Sequence, residues 1–203
     1  MRIGIFGGTF NPVHTGHINA SLEFYKRASL SRMFVIPDRI PPHKEGLVVS
    51  GEHRMNMLSL AYGEMKDKDI VISDVELLRE GRSYTYHTLS YFKENFPDDE
   101  IYLYVGSDMY YTLPGWYRGE ELFSMCTFAV APRRDGEKEK ILEFERKYRE
   151  SYGGRTLFLD IVPLEISSSE IREEIAKKEP DLTKKLLTDE VRGYIMENGL
   201  YRE

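Results

Sequence analysis

Two histidines, His14 and His17, close the string Gly7-Gly8-Thr9-Phe10-Asn11-Pro12-Val13-His14-Thr15-Gly16-His17. A spacing of three places both rings on one face of a helix that begins there. Gly7 and Gly8 allow a sharp turn and a close backbone approach to a ligand, and Pro12 stiffens the turn. A glycine turn followed by a helix start points backbone N–H groups at whatever lies above it. With two imidazoles beside it, this is a site for an anion, and phosphate fits best. It is neither a GxxxxGK[ST] loop nor a GxGxxG turn. A two-histidine zinc site is the poorer reading, because no third soft ligand stands at motif spacing.

The elements that must carry this turn are legible around it. Arg2-Ile3-Gly4-Ile5-Phe6 reads as a buried strand and Ile18 to Leu30 as the helix after it. Further short apolar runs follow at Met33 to Ile36, Ile70 to Ile72, Ile101 to Val105, Cys126 to Ala131 and Thr156 to Leu159. Helical stretches are expected over 51–66, up to Asn95, over 137–152 and over 188–198. Ser50 serves as N-cap of the first, with Met55, Leu58 and Tyr62 facing inward; Arg54 on that helix reads by default as a surface charge, with a reach to the site as the alternative. Ser83 or Thr85 is expected to cap the second, and Ile141, Leu142 and Phe144 to face inward on the third. Gly199 suits the end of the last. Alternating strands and helices predict an α/β fold, a Rossmann-like, doubly wound parallel sheet of five or six strands with right-handed crossovers. Residues 1–203 are expected to form one domain, with 166–203 a small C-terminal helical appendage.

In open parallel sheets ligands bind beyond the carboxyl ends of the strands, and polar residues gather at those ends. Asp38-Arg39-Ile40-Pro41-Pro42-His43-Lys44 follows the second run, and its two prolines fix an extended loop. Gly106-Ser107-Asp108 follows the fourth, where Gly106 permits close approach and Asp108 offers acceptors for hydroxyls. Arg133 and Arg134 follow the fifth; an arginine there is a fork for phosphate or carboxylate. Ile166-Ser167-Ser168-Ser169-Glu170-Ile171-Arg172 reads as a capping box that also presents hydroxyls, N–H groups and a guanidinium to an anion.

Bulk properties bound the rest. Hydrophobic residues make up 41% and charged residues 31% of 203 residues, a balance that excludes a disordered or membrane-spanning chain. No signal-peptide pattern opens it. A net charge of -6 speaks against a nucleic-acid partner held by a broad basic surface. Cys126, the one cysteine, cannot form an internal disulfide; it reads as a buried structural thiol in a cytoplasmic protein.

The string GTFNPVHTGH resembles the signature of the HxGH nucleotidyltransferases, in which the two histidines contact the phosphates of a nucleoside triphosphate. Four further strings resemble, in the same order, motifs of the bacterial nicotinate mononucleotide adenylyltransferases: Pro41-Pro42-His43-Lys44, Ser83-Tyr84-Thr85 with Thr88-Leu89, Gly106 and Asp108 with Leu113 and Trp116, and ISSSEIR at 166–172. Nearly the whole chain is covered. The resemblance implies an enzyme of NAD biosynthesis that transfers the adenylyl group of ATP to nicotinate mononucleotide, giving deamido-NAD and pyrophosphate. It implies that the backbone of Gly8, Thr9 and Phe10, with His14 and His17, holds the α- and β-phosphates, and that Lys44 borders the reacting groups. Ser168, Ser169 and Arg172 would take the leaving pyrophosphate, Gly106 and Asp108 the adenosine, and Ile166 would also bind ATP. Thr85, Tyr86 and Trp116, and more weakly Arg133, would take the mononucleotide. Mg²⁺ would travel with ATP, held by phosphates and water. His87 stands where that family usually has Asp, and Arg134-Asp135 where it has Pro-Gly. A phosphopantetheine adenylyltransferase, a cytidylyltransferase and a non-catalytic nucleotide sensor are weaker alternatives. Homo-oligomerisation is left open.

Overall fold

The computed structural model describes residues 1–39, 49–162, 166–177, 183 and 185–202. Six strands form one all-parallel sheet: β1 (Arg2–Gly8), β2 (Arg32–Pro37), β3 (Ile70–Ile72), β4 (Glu100–Gly106), β5 (Thr127–Ala131) and β6 (Arg155–Phe158), in the order β3-β2-β1-β4-β5-β6. The strands are apolar on both sides because both sides are covered. Alternation of period two assigns each side chain to a layer. Phe6, Met33, Val35, Ala129 and Ala131 point into one core. Ile3, Ile5, Ile36, Phe128 and Val130 point into the other.

Helices α1 (Thr15–Arg27), α2 (Gly51–Tyr62), α7 (Ser168–Ala176) and α8 (Asp189–Glu197) cover the first layer through Phe24, Met57, Leu58, Ile171, Val191 and Ile195. Helices α3 (Thr85–Asn95), α4 (Ser107–Tyr110), α5 (Gly119–Met125) and α6 (Lys138–Tyr152) cover the second through Leu89, Phe92, Tyr110, Leu122, Phe123, Ile141 and Tyr148. The predicted α/β, doubly wound architecture is therefore the observed one, with six strands.

Several local expectations are corrected. Helix α1 starts at Thr15 and stops at Arg27, because the chain turns left-handed at Ser29, φ 50°. Met57, not Met55, sits in the core under α2, and Arg54 is buried at 2% exposure where a surface charge was expected. Neither Ser83 nor Thr85 caps α3: its N-cap is Tyr84, which makes no side-chain capping bond, while the Ser83 hydroxyl accepts from the Arg39 N–H at 2.9 Å. On α6 Ile141 and Phe144 face inward as expected, joined by Tyr148, while Leu142 faces solvent. The cap at Ser50 and the capping box of Ser167 with Glu170 are as the sequence predicts, and Thr188 caps α8 by accepting the Val191 N–H. Gly199 adopts the left-handed φ of 61° after α8.

Candidate active site

The strand order reverses between the two central strands β1 and β4, and at such a switch point open parallel sheets form a ligand crevice beyond the carboxyl ends of the strands. The chain leaves β1 through Thr9 and Phe10 and reaches α1 by way of a cis Asn11-Pro12 bond. Phe10 holds φ 50° with its ring buried, a conformation a bulky residue keeps only where packing dictates it.

His14 is the N-cap of α1, in extended conformation, so it stands just ahead of the helix rather than on its face. Its Nδ1 accepts the His17 N–H at 3.3 Å. A neutral ring with Nδ1 accepting carries its proton on Nε2, leaving that nitrogen as a donor. The ring is kept neutral by its surroundings: burial first, then the charge of Arg133, bring its pKa down to about 4. His17 stacks on it at 3.6 Å between centroids, 24° from parallel, and meets the Phe10 ring edge-on at 5.1 Å. Gly16 makes the packing possible; a Cβ there would lie 3.0 Å from His14 Nδ1 and 3.5 Å from Ile166 Cβ.

The ISSSEIR segment, remote in sequence, docks on this turn. The Ser168 hydroxyl donates to the Pro12 carbonyl at 2.9 Å, and Arg172 Nη1 donates to the Asn11 carbonyl at 2.8 Å. The other arm of Arg172 donates to Ser169 Oγ at 3.1 Å. The N-termini of α1 and α7 thus converge at the crevice, each adding a partial positive charge to two imidazoles and a guanidinium. The chain's end reaches the same place: the buried Tyr201 hydroxyl donates to Asn11 Oδ1 at 2.9 Å, and the Val49 N–H reaches that oxygen at 3.3 Å.

Across the crevice Gly106 ends β4. A Cβ at this position would fall 2.5 Å from Arg133 Nε and 2.7 Å from Asp108 Oδ1, so only glycine leaves room for the ion pair of Arg133 with Asp108, 3.1 Å long. Behind them the Glu137 carboxylate accepts from Ser107 Oγ at 2.7 Å and from the Arg133 and Arg134 amides at 2.8 and 3.0 Å. Burial opposes ionisation there, and the Ser107 hydroxyl with those amides outweighs it, holding the Glu137 carboxyl below its usual range.

Thr85 and Tyr86 open α3. Trp116 is half-buried, packs against the second core and donates from Nε1 to Thr112 Oγ1 at 3.1 Å. The ring that stacks on Tyr84, at 4.7 Å and 28°, is Tyr117, and His87 lies 5.5 Å from it. The Arg118 guanidinium sits 3.9 Å above the Tyr86 ring. Lys44, with the rest of Pro41 to Lys44, lies outside the described residues.

The structure therefore brings together Thr9, Phe10, His14, His17, Ile166, Ser168, Ser169 and Arg172, with Gly106, Asp108 and Arg133 at the neighbouring strand ends. Sequence reasoning missed Asp38, Asn11 and Tyr201, and for Arg54 the alternative reading, a reach to the site, is the one the contacts bear out. Arg54 donates from Nη1 to the Thr9 and Asp38 carbonyls at 3.0 and 2.6 Å. An arginine on an otherwise apolar helix face was the available signal; Tyr201, at the chain's end, offered none.

A family model described as cytidylyltransferase-like matches residues 5–174. The nicotinate-nucleotide adenylyltransferase of Bacillus subtilis is 37% identical over 201 residues, covering 98% of each chain. A related sequence from Carboxydothermus hydrogenoformans is 39% identical over 201 residues, 99% of this chain and 98% of its own. Among solved structures, the Plasmodium falciparum nicotinic acid mononucleotide adenylyltransferase complexed with NaAD superposes with a TM-score of 0.81 at 25% identity, over 98% of this chain and 97% of that one.

Proposed function

We propose, from the premise that the chain belongs to the nicotinate-nucleotide adenylyltransferase family, that the crevice between β1 and β4 is where its adenylyl transfer takes place. The reaction is a step of NAD biosynthesis. The 5′-phosphate of nicotinate mononucleotide attacks the α-phosphorus of ATP, the bond to the bridging oxygen breaks, and pyrophosphate leaves with deamido-NAD as the other product. No covalent intermediate is needed, so the chain must place two anions in line and stabilise charge as it shifts to the leaving group.

The observation that carries this reading is the docking of α7 on the β1 turn, through Ser168 on the Pro12 carbonyl and Arg172 on the Asn11 carbonyl. It sets the donors for a leaving pyrophosphate beside the donors for the reacting phosphate. The amides of Thr9 and Phe10 and the His14 and His17 rings hold the α- and β-phosphates. Neutral His14 donates through Nε2–H, at no cost in burying a charge. Ser169 and Arg172 take the pyrophosphate, Gly106 and Asp108 take the adenosine, and the α3 N-terminus with Tyr86 takes the pyridine end, where a carboxylate suits the helix dipole. Lys44 borders the reacting groups.

Mg²⁺ belongs to this reading as a companion of the triphosphate. The donors at the turn are amides, imidazoles and a guanidinium, and among the described residues no group of three or more His, Cys, Asp or Glu could hold a metal. That set fits an ion carried in by phosphate oxygens and water, which supplies charge neutralisation when bound. Among the described residues no helix is long and apolar enough to cross a membrane. The one cysteine, Cys126, is buried and outside any disulfide, which suits the cytoplasm.

The test is His17→Ala. Turnover should fall on the order of 100-fold, the cost of one transition-state donor, with the circular dichroism spectrum unchanged. A folded variant with near-normal turnover would remove His17 from the mechanism.

A further inference from the structure

The guanidinium of Arg54 is a buried cation with no part in the roles assigned above. It extends from α2 beneath the β1 turn, 2% exposed. Nε donates to the Val49 carbonyl at 3.2 Å. Nη1 donates to the Thr9 carbonyl at 3.0 Å, to the Asp38 carbonyl at 2.6 Å and, at a longer 3.4 Å, to Asp38 Oδ1. The other Asp38 oxygen accepts from the Thr9 hydroxyl at 2.8 Å, and the Asp38 N–H donates to the Gly8 carbonyl at 3.0 Å. Arg54 and Asp38 therefore tie together the end of β1, the end of β2 and the segment that leads into α2.

These contacts dictate where the turn's amides point. A trans peptide group is planar, with its C=O and N–H directed oppositely. The Gly8 carbonyl is held toward β2 by Asp38, so the Thr9 N–H faces away from β2, toward the β4 side and the crevice. The Thr9 carbonyl is held down by Arg54, so the Phe10 N–H faces away from α2. A buried charge is expensive unless fully paired, and here one cation spans three backbone carbonyls and a carboxylate. A lysine could supply the charge but not the planar fork that reaches carbonyls on separate segments.

We propose that Arg54 is a positioning residue for adenylyl transfer: with Asp38 it fixes the orientation of the Thr9 and Phe10 amides that receive the phosphates. This rests on the reading of that turn as the phosphate site. Arg54 touches no substrate; its effect passes through backbone amides.

The experiment compares Arg54→Lys, Arg54→Met and Asp38→Asn with the wild-type chain for kcat and KM, per folded molecule, with folded fraction and Tm from circular dichroism. Misplaced donors cost most in the transition state, so a folded Arg54→Lys should lose about 30-fold in kcat/KM for ATP. Its KM for nicotinate mononucleotide at saturating ATP should stay within about threefold, since uniform binding of that substrate is untouched. Asp38→Asn should show the same pattern more weakly. Arg54→Met serves only if it folds. Activity that falls just in proportion to folded fraction, folded variants with ATP kinetics within about twofold of wild type, or failure of all three to fold would each overturn the proposal and leave Arg54 a support of the fold. A wild-type chain that released no pyrophosphate from ATP and nicotinate mononucleotide would instead remove the functional reading, whatever the variants did.

Discussion

His14 links the acid stability of this fold to the chemistry of its site. Burial first and Arg133 second bring the folded pKa down to about 4, from an ordinary value of 6.5. Between those values the unfolded chain binds more protons than the folded one, so the contribution is fully present above pH 6.5 and is lost as pH falls toward 4. Below that no more is lost through this group. The whole shift corresponds to about 3 kcal/mol, and lowering the pH from about 7.5 to about 5 removes about 2 kcal/mol of it. His14→Asn keeps an N-cap acceptor for the His17 N–H but has nothing to titrate. It lowers stability at every pH through lost ring packing, yet its stability should change less with pH than the wild type by about 2 kcal/mol over that interval. Urea unfolding of both proteins at the two pH values measures this, and other titrating groups, including the buried carboxyl of Glu76 whose pKa burial raises, cancel in the comparison. Equal losses in wild type and variant would show that His14 is not held neutral, and the assignment of its Nε2 proton would fall with it.

Other perturbations separate the parts of the site. Arg172→Ala removes the donor to the Asn11 carbonyl and the one to Ser169; kcat should fall by about 100-fold, in line with a charge-assisted donor worth about 1.5–3 kcal/mol, as read by pyrophosphate release. Gly106→Ala drives a Cβ into Arg133 Nε and Asp108 Oδ1. That pair is exposed on both sides, so Tm should hardly move while KM for ATP rises, which steady-state kinetics will show. Tyr201→Phe deletes the buried hydroxyl that donates to Asn11 Oδ1; urea unfolding should show a loss of about 1 kcal/mol.

How far these features were legible in the sequence depends on their range. The strands were readable because both faces of the sheet are covered, which turns β1, β2, β4 and β5 into continuous apolar runs. The HxGH turn and the ISSSEIR capping box were readable because glycine turns and helix starts are local events with local residue requirements. The contact between the two motifs was not: nothing short of the fold states that Ser168 donates to Pro12, 156 residues away. The default reading of Arg54 as a surface charge failed for the same reason. A charge on a helix is normally solvated, and only the turn above it explains its burial. Tyr84 was passed over as a cap since it forms no side-chain bond to α3; the dihedrals of the chain, not a capping hydroxyl, set that helix start.

The most direct test of the account is pyrophosphate release by the wild-type chain with ATP and Mg²⁺, offered nicotinate mononucleotide, nicotinamide mononucleotide or phosphopantetheine in parallel. The account predicts rapid release with nicotinate mononucleotide, one deamido-NAD formed per pyrophosphate, and slower use of the amide. No release with nicotinate mononucleotide, or release only with phosphopantetheine, would contradict it.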